Sequence, residues 1–459
     1  MIAGKKTCAV VDPARDIAVY LEEAESRHLK ITRVLLTHLH ADFVSGHIDL
    51  AEAAGAEVIA PAKGECLFPH VPAGEGDVIA IEHMRLSVIE TPGHTPEHIC
   101  YVVVDTSRGV DPVGVFCGDT LFVGDVGRPD LFPEMAEHLA GKLFHSLHEK
   151  LMKLPDFCEI YPAHGAGSLC GRTMGAKYQS TIGYERRNNR ALLLPDREEF
   201  VRSLTTGMPL APDHFSRCSN INRLGPVPVA ELTEPVPLTP SDFTEKMNLP
   251  GVQVIDVRGY DAFGGQHIAG ALNISLFGNF PVFAGWVVPP EDDVLLVCDN
   301  REQALSAVRW ARRVGIDRMA GYLEGGLFNW VSCGLHTAHL PQISPHEFHL
   351  LITGNSCFTL IDVRAPSEFG SNGIKGAVNI PVADLRHRHR ELDSEAKTIL
   401  ICSSGNRSSL GASILMRHGF SNVVNVAGGM EGYAASGYSD ECHACANPHG
   451  SRVNLNNPG

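Results

Sequence analysis

The strongest constraint on this chain is an internal duplication. Val254-Ile255-Asp256-Val257-Arg258 returns as Leu360-Ile361-Asp362-Val363-Arg364, Gly270-Ala271-Leu272-Asn273-Ile274 returns as Gly376-Ala377-Val378-Asn379-Ile380, and Gly325-Gly326 returns as Gly428-Gly429. The offset stays at about one hundred residues, too long for a solenoid unit and right for a duplicated small domain. In both copies apolar runs of strand length alternate with helical stretches, the pattern of a parallel α/β fold. Two tandem α/β domains are therefore expected at 239–337 and 342–440, followed by a tail at 441–459 rich in Gly, Pro and Asn.

A chain of 459 residues has room for about three domains. Residues 1–190 alternate β-rich runs with helical stretches, such as Ile31 to Thr37 and then His47 to Ala54, stopped by Gly55. From 191 to 238, Pro195, Pro209, Pro212, Pro226, Pro228, Pro235 and Pro237 predict a Pro-rich linker. The net charge of −15 and the lack of a long basic run exclude a nucleic-acid surface and favour a small-molecule partner. No apolar run is long enough to span a bilayer, and Met1 to Val11 lacks the apolar stretch of a secretory signal, so no membrane association and a cytoplasmic location are expected. Thirteen cysteines without an export signal read as free thiols.

The first chemical cluster, Thr37-His38-Leu39-His40-Ala41-Asp42-Phe43, directly follows the apolar run ending at Leu36. Thr91-Pro92-Gly93-His94-Thr95, Phe116-Cys117-Gly118-Asp119 and Tyr161-Pro162-Ala163-His164-Gly165 follow, each placing a His or Asp in a loop after a strand. Such loops gather at one edge of a sheet, so their side chains can converge on a metal. An isolated loop histidine is commonly solvated or hydrogen-bonded, and His70 and His83 are read that way. The ordered succession His-x-His-x-Asp, Pro-Gly-His-Thr and Gly-Asp is far rarer, and it is read as a metal site.

These motifs resemble the metallo-β-lactamase superfamily and, within it, the persulfide dioxygenase family related to glyoxalase II. The resemblance implies an αββα sandwich for residues 1–190. The superfamily's two-metal motif runs His-x-His-x-Asp-His, and Phe43 stands where its last His belongs; a phenyl ring cannot ligate a metal. The resemblance then implies a single Fe(II) per chain, held by His38, His94 and Asp119. Two histidines and a carboxylate with open positions suit non-haem iron, whereas zinc has no redox chemistry for dioxygen. His40, Asp42 and His164 would surround the metal as orienting groups. Arg128, in Gly127-Arg128-Pro129-Asp130, would face the substrate and pair with a carboxylate of a thiol carrier such as glutathione; the alternative is an Arg tied to Asp130 on the surface. The family carries further strands before the segment found here at Val10-Val11-Asp12-Pro13, which implies either a truncated N-terminus or a sheet without its edge.

The stretch from Ile399 to Ser408 reads as a buried strand, a short polar loop and a helix, with Cys402 where the loop begins. Small residues and Gly405 let backbone N–H groups turn towards the sulfur, and the helix adds its positive end, so a thiolate is stabilised there. Arg407 offers a charged fork for a sulfite oxygen. With Asp362-Val363-Arg364 before it and Gly428-Gly429 after it, this stretch resembles the rhodanese family, whose nucleophile would be Cys402. The copy around Cys298 differs: counted without gaps, Arg301 stands for Gly405 and Gln303 for Arg407, while Asp299 and Glu302 add carboxylates that repel an anion. The middle domain is expected to be degenerate, with a structural or docking role. Cys298 and, in the linker, Cys218 are weaker candidates for sulfur relay, and Cys442-His443-Ala444-Cys445 in the tail reads as disorder.

The fold class expected is therefore a multidomain α/β and α+β chain: an αββα metallo-β-lactamase sandwich followed by two rhodanese-type parallel α/β domains. The activity implied is iron-dependent oxidation of a low-molecular-weight persulfide by O2 to sulfite and thiol, coupled to sulfur transfer that forms thiosulfate. The partners are a persulfide of the glutathione or coenzyme A class, O2 and sulfite, with homo-oligomerisation left open. The rival is a glyoxalase II-like thioesterase using zinc or two metals, which Phe43 opposes. A third reading makes the rhodanese pair a persulfide sensor, which the intact His38, His94 and Asp119 set opposes.

Overall fold

A single strand, Ile99–Asp105, shows why the first part of the chain builds layers on both sides of a sheet. Every residue from Ile99 to Val104 is apolar and buried. Side chains alternate across a strand, so such a run has to be covered on both faces. Ile99, Tyr101 and Val103 pack with Ala9, Leu35 and Ile59 between two sheets, while Cys100 and Val102 pack with Leu143, Leu147 and Phe200 on the far side.

The computed structural model describes residues 1–165, 168–171, 177–194, 196–208, 211–354 and 357–438. The tail at 441–459, with Cys442-His443-Ala444-Cys445, lies outside the described residues, as do Pro195 and Pro209. Two compact units result, one over Met1–Leu232, to which Arg312–Gly315 are assigned, and one holding the remainder with both repeats. Among the described residues no helix is long and apolar enough to cross a membrane.

In the first unit one sheet has the strand order Ile2–Ala3, Thr7–Val11, Lys30–Leu35, Glu57–Pro61, Val71–Ala73, parallel except for its first pair. The other has the order Ser180–Thr181, Glu159–Pro162, Pro112–Gly118, Ile99–Asp105, Met84–Glu90, Val78–Ile81, antiparallel except where Glu159–Pro162 meets Pro112–Gly118. Cys8, Val10 and Val34 cover the outer face of the first sheet together with Ala24 and Leu50 of helices Ala18–Ser26 and His47–Ala54. The second of these helices ends at Gly55 in the left-handed conformation, as its sequence predicts. The result is an αββα sandwich. The four candidate metal loops leave the C-terminal ends of Lys30–Leu35, Met84–Glu90, Pro112–Gly118 and Glu159–Pro162.

The expected linker at 191–238 is corrected. It contains helices Arg197–Thr205 and His214–Leu224, and the first unit runs to Leu232. Asp196 caps the first helix by accepting from Glu198 N and Glu199 N, and Phe200 and Leu204, one turn apart, enter the core under the second sheet. Pro212 lies just outside the second helix, where its missing N–H costs nothing.

Among the described residues of the second unit there are two five-stranded sheets, parallel throughout. The orders are Pro237–Leu238, Met319–Leu323, Asp293–Val297, Val252–Asp256, Leu272–Asn273 and then Gln342–Ile343, Val423–Val426, Thr398–Ile401, Thr359–Asp362, Val378–Asn379. The sequence duplication encodes one repeated device. Arg258 donates bidentately to buried Asp256 and Arg364 to buried Asp362; Asn273 and Asn379 donate to the carbonyls of Asp256 and Arg258, and of Asp362 and Arg364.

Phe200→Ala is expected to destabilise the first unit by about 3–5 kcal/mol through the cavity it leaves. Calorimetry measures this, and an unchanged transition would return 191–238 to the status of a linker.

Candidate metal centre and cysteine loop

Each candidate ligand is fixed by its own neighbour, the two imidazoles in one tautomer and the carboxylate in orientation. Thr37 Oγ1 donates to Asp12 Oδ2 at 2.8 Å, so it accepts from His38 Nδ1 at 2.9 Å. The Arg128 carbonyl accepts from His94 Nδ1 at 2.9 Å. Both imidazoles therefore present an unprotonated Nε2 inward, a common arrangement for metal-binding histidine. Asp119 Oδ1 accepts from His164 Nδ1 at 2.8 Å, which leaves Oδ2 facing the two rings.

His38 Nε2, His94 Nε2 and Asp119 Oδ2 are all buried without a hydrogen-bond partner. Asp119 Oδ2 lies 3.3 Å from His94 Nε2 and 3.8 Å from His38 Nε2. An ion about 2.1 Å from each atom would leave such gaps between them. A buried polar atom with no partner costs about 1–3 kcal/mol, and three aimed at one point fit a cation. Burial holds His38 well below the ordinary imidazole range and lowers His94 too, so both rings are neutral and free to ligate.

Next to this triad, His164 bridges two carboxylates, with Nδ1 on Asp119 and Nε2 2.8 Å from Asp42 Oδ2. Burial opposes its charge, but the two carboxylates overcome that and push His164 well above its ordinary range. Asp119 shows the reverse: burial raises it, and the facing His164 holds it well below the usual carboxylate range. His40, Asp42 and His164 also present atoms within 4.8 Å of one another, a spacing that could hold an ion. Phe43 fills the neighbouring space with its ring, centred 4.3 Å from the His40 ring and 6.1 Å from that of His164.

Several supporting residues escape a sequence reading. His98 stacks on His38 with centroids 4.8 Å apart and accepts from Asp119 N at 3.0 Å, while its Nδ1 reaches Thr91 Oγ1. Burial pushes its pKa down to about 3, so it stays neutral and keeps that acceptor. Gly127 is required for close packing, since a Cβ there would lie 1.9 Å from the Asp119 carbonyl. Asn222, in helix His214–Leu224, donates to the carbonyls of His40 and Phe43 and accepts from Ser45 N, clasping the histidine loop. The Cys170 sulfur lies within 4.8 Å of ligand atoms of Asp119 and His164. Of these, Gly127 lay in a segment the sequence singled out, and His98, four residues beyond His94, carried a local hint.

Two expectations in this unit change. Arg128 pairs with Asp130, as its alternative reading had it, but is buried rather than on the surface: Nε and Nη2 donate to Asp130 at 2.7 Å each and Nη1 to the Leu169 carbonyl. Its fork braces the loop whose carbonyl fixes His94. Cys218 is fully buried on helix His214–Leu224 rather than lying in a linker.

In the second repeat Cys402 ends strand Thr398–Ile401 and is buried. Its sulfur accepts from Gly405 N at 3.1 Å and from Ser408 Oγ at 3.2 Å, at the start of helix Asn406–Arg417. Arg407 does not offer the expected open fork for sulfite: it donates bidentately to Glu368 at 2.6 and 2.8 Å and also reaches Ser403 Oγ. Around Cys298, helix Arg301–Arg313 begins sooner, and burial first, then Asp299 and Asp256, push the thiol up to about 12.

Residues 1–164 match the metallo-beta-lactamase superfamily, and residues 239–333 and 344–436 match the rhodanese-like domain. A solved metallo-beta-lactamase from Staphylococcus aureus subsp. aureus COL is 32% identical, with 68% of this chain and 90% of that chain covered at a TM-score of 0.62. A structure of ETHE1 from Myxococcus xanthus is 28% identical over 47% of this chain and 88% of that one, at a TM-score of 0.41. A hydroxyacylglutathione hydrolase of Methylobacillus flagellatus is 36% identical over 157 residues, covering 34% of this chain and 56% of the relative. The chain thus spans about half the length of the curated relatives it matches.

Asn222→Ala is expected to weaken metal affinity by about 10–100-fold without touching a ligand; chelator competition measures it, and an unchanged affinity would contradict the clasp. Because a thiol with a pKa near 12 is almost wholly protonated at pH 8, Cys298 should resist alkylation there. Peptide-resolved mass spectrometry reads this, and rapid labelling would contradict it.

Proposed function

Because this chain belongs to the metallo-beta-lactamase superfamily and continues into two rhodanese-like domains, we propose that it oxidises a small-molecule persulfide and passes sulfur through Cys402. The carrying observation is the convergence of His38 Nε2, His94 Nε2 and Asp119 Oδ2, with Phe43 beside His40 and His164 and a sulfur-cradling loop on the same chain. Two imidazoles and one carboxylate would hold an iron(II) ion, which when bound supplies the redox chemistry that dioxygen requires.

The reaction balances: a persulfide R–S–SH, dioxygen and water give the thiol R–SH, sulfite and two protons, the outer sulfur losing the four electrons that dioxygen gains. The protein's own part is to keep the ligand nitrogens unprotonated, through Thr37 and the Arg128 carbonyl, and to place the charged His164 beside Asp119. A persulfide on a thiol of the glutathione or coenzyme A class is the substrate proposed.

At Cys402, attack of the thiolate on a persulfide's outer sulfur forms Cys402–S–SH and releases the thiol. Attack of sulfite on that outer sulfur then yields thiosulfate and restores the Cys402 thiolate. Gly405 N–H and Ser408 O–H stabilise the negative sulfur at both stages.

A second reading is favoured by the spacing of His40, Asp42 and His164 and by the hydroxyacylglutathione hydrolases among the relatives. It makes the first domain a thioesterase with zinc or two metals.

Anaerobic purification with metal analysis, followed by oxygen uptake on glutathione persulfide, separates the two. About one iron per chain is expected, with uptake abolished in His94→Ala and retained in Cys402→Ser, which loses only thiosulfate formation. Zinc with hydrolysis of an acylglutathione and no oxygen uptake would establish the thioesterase.

A further inference from the structure

The loop around Cys402 is not completed by its own repeat. Gly405, whose N–H points at the sulfur, has φ +101, and a Cβ there would lie 3.0 Å from Cε1 and 3.1 Å from Cζ of Tyr260, a residue of the other repeat. The hydroxyl of the same phenol accepts from Gly428 N at 3.2 Å. Gly428, at φ +72, caps helix Gly429–Ala435, whose Met430 and Glu431 N–H groups donate at 2.8 Å to the carbonyls of Cys402 and Ser403.

A second path makes the same connection. The Tyr260 carbonyl accepts from Gln342 Nε2 at 3.4 Å; Gln342 Oε1 accepts from Asn425 Nδ2 at 2.8 Å, and Asn425 Nδ2 donates to the Gly405 carbonyl at 3.3 Å. Two of the left-handed glycines around the sulfur cradle, Gly405 and Gly428, therefore bear on one tyrosine. The docking is fixed nearby by Ser409 Oγ donating to Asn273 Oδ1 at 2.6 Å and by Asn273 N donating to Ser413 Oγ at 3.1 Å. The arrangement runs one way: at the offset that places Arg258 on Arg364, the counterpart of Tyr260 is Pro366, which has no hydroxyl to return.

We infer that Tyr260 is a positioning residue for Cys402, through which the repeat with the altered loop completes the sulfur-carrying site of the other. Its ring buttresses Gly405 and its hydroxyl anchors Gly428, which keeps the Gly405 N–H aimed at the sulfur. Only the turnover arm of the test rests on the proposed sulfur transfer; the alkylation arm needs no sulfur substrate.

The test uses the full chain as wild type, Tyr260→Phe and Tyr260→Ala. Peptide-resolved alkylation of Cys402 is followed from pH 6 to pH 10, with sulfur transfer from thiosulfate to cyanide alongside. Tyr260→Ala is expected to move the Cys402 alkylation profile to higher pH and to lower kcat about tenfold with little change in KM, as loss of a sulfur-stabilising donor requires. Tyr260→Phe, which keeps the ring against Gly405, should retain kcat within about threefold. A wild-type alkylation profile in a folded Tyr260→Ala protein overturns the inference. So does a fall in kcat with an unmoved profile, which would mark general packing. Should Tyr260→Ala fail to fold, Tyr260→Phe decides alone: a modest alkaline movement supports the role and none overturns it. Absence of turnover in wild type sinks the sulfur-transfer reading and leaves the alkylation arm to judge Tyr260.

Discussion

Three buried atoms without hydrogen bonds, His38 Nε2, His94 Nε2 and Asp119 Oδ2, are the constraint around which the first unit is arranged. An imidazole left to itself can turn or switch tautomer. Here Thr37, the Arg128 carbonyl and His164 each take the other side of a ligand, and Arg128 is pinned by Asp130 so that its carbonyl cannot drift. The site is thus preorganised by contacts one step removed from the inward-facing atoms, and those contacts come from loops at the ends of three different strands. A cation bound among these atoms would offset the desolvation cost of burying them unpaired, so metal binding there would be coupled to the stability of the fold.

The two repeats start from one scaffold and diverge at a few atoms. Each carries a buried Asp–Arg pair and an Asn that bonds the adjoining carbonyls. At the strand end, however, Gly405 enters a left-handed conformation that turns its N–H to Cys402, while Arg301 at the matching position already lies in a helix. Burial first, and then Asp299 beside it, hold Cys298 as a thiol, whereas the Cys402 sulfur is cradled by Gly405 N–H and Ser408 O–H. Charge and one backbone dihedral separate the two cysteine loops.

Proline density misled the reading of residues 191–238 because proline disfavours helix interiors, not helix borders. Pro212 precedes its helix, and Asp196, Phe200 and Leu204 formed a legible cap and apolar stripe that the prolines obscured. The consequence reaches function, since Asn222 on the second of these helices fastens the loop that carries His38 and His40.

Sequence alone determined the layered sandwich, the duplication, the loops that carry His38, His94, Asp119 and Cys402, and the weakness of the Cys298 loop. The duplication and the strand-end loops follow from local patterns of alternation, glycine and proline positions and residue types beside a strand end, whereas the sandwich was implied by the family resemblance that those loops carry. The sequence left open whether Arg128 pairs with Asp130, and could not determine what Arg407 bonds, that His98 and Cys170 stand beside the candidate ligands, or that Tyr260 meets the Cys402 loop. A long guanidinium chooses among partners by distance, and neighbours remote in sequence become neighbours only when strands and helices pack. Asp130, Glu368 and Gly405 were visible as letters; only tertiary structure decided what each would hold.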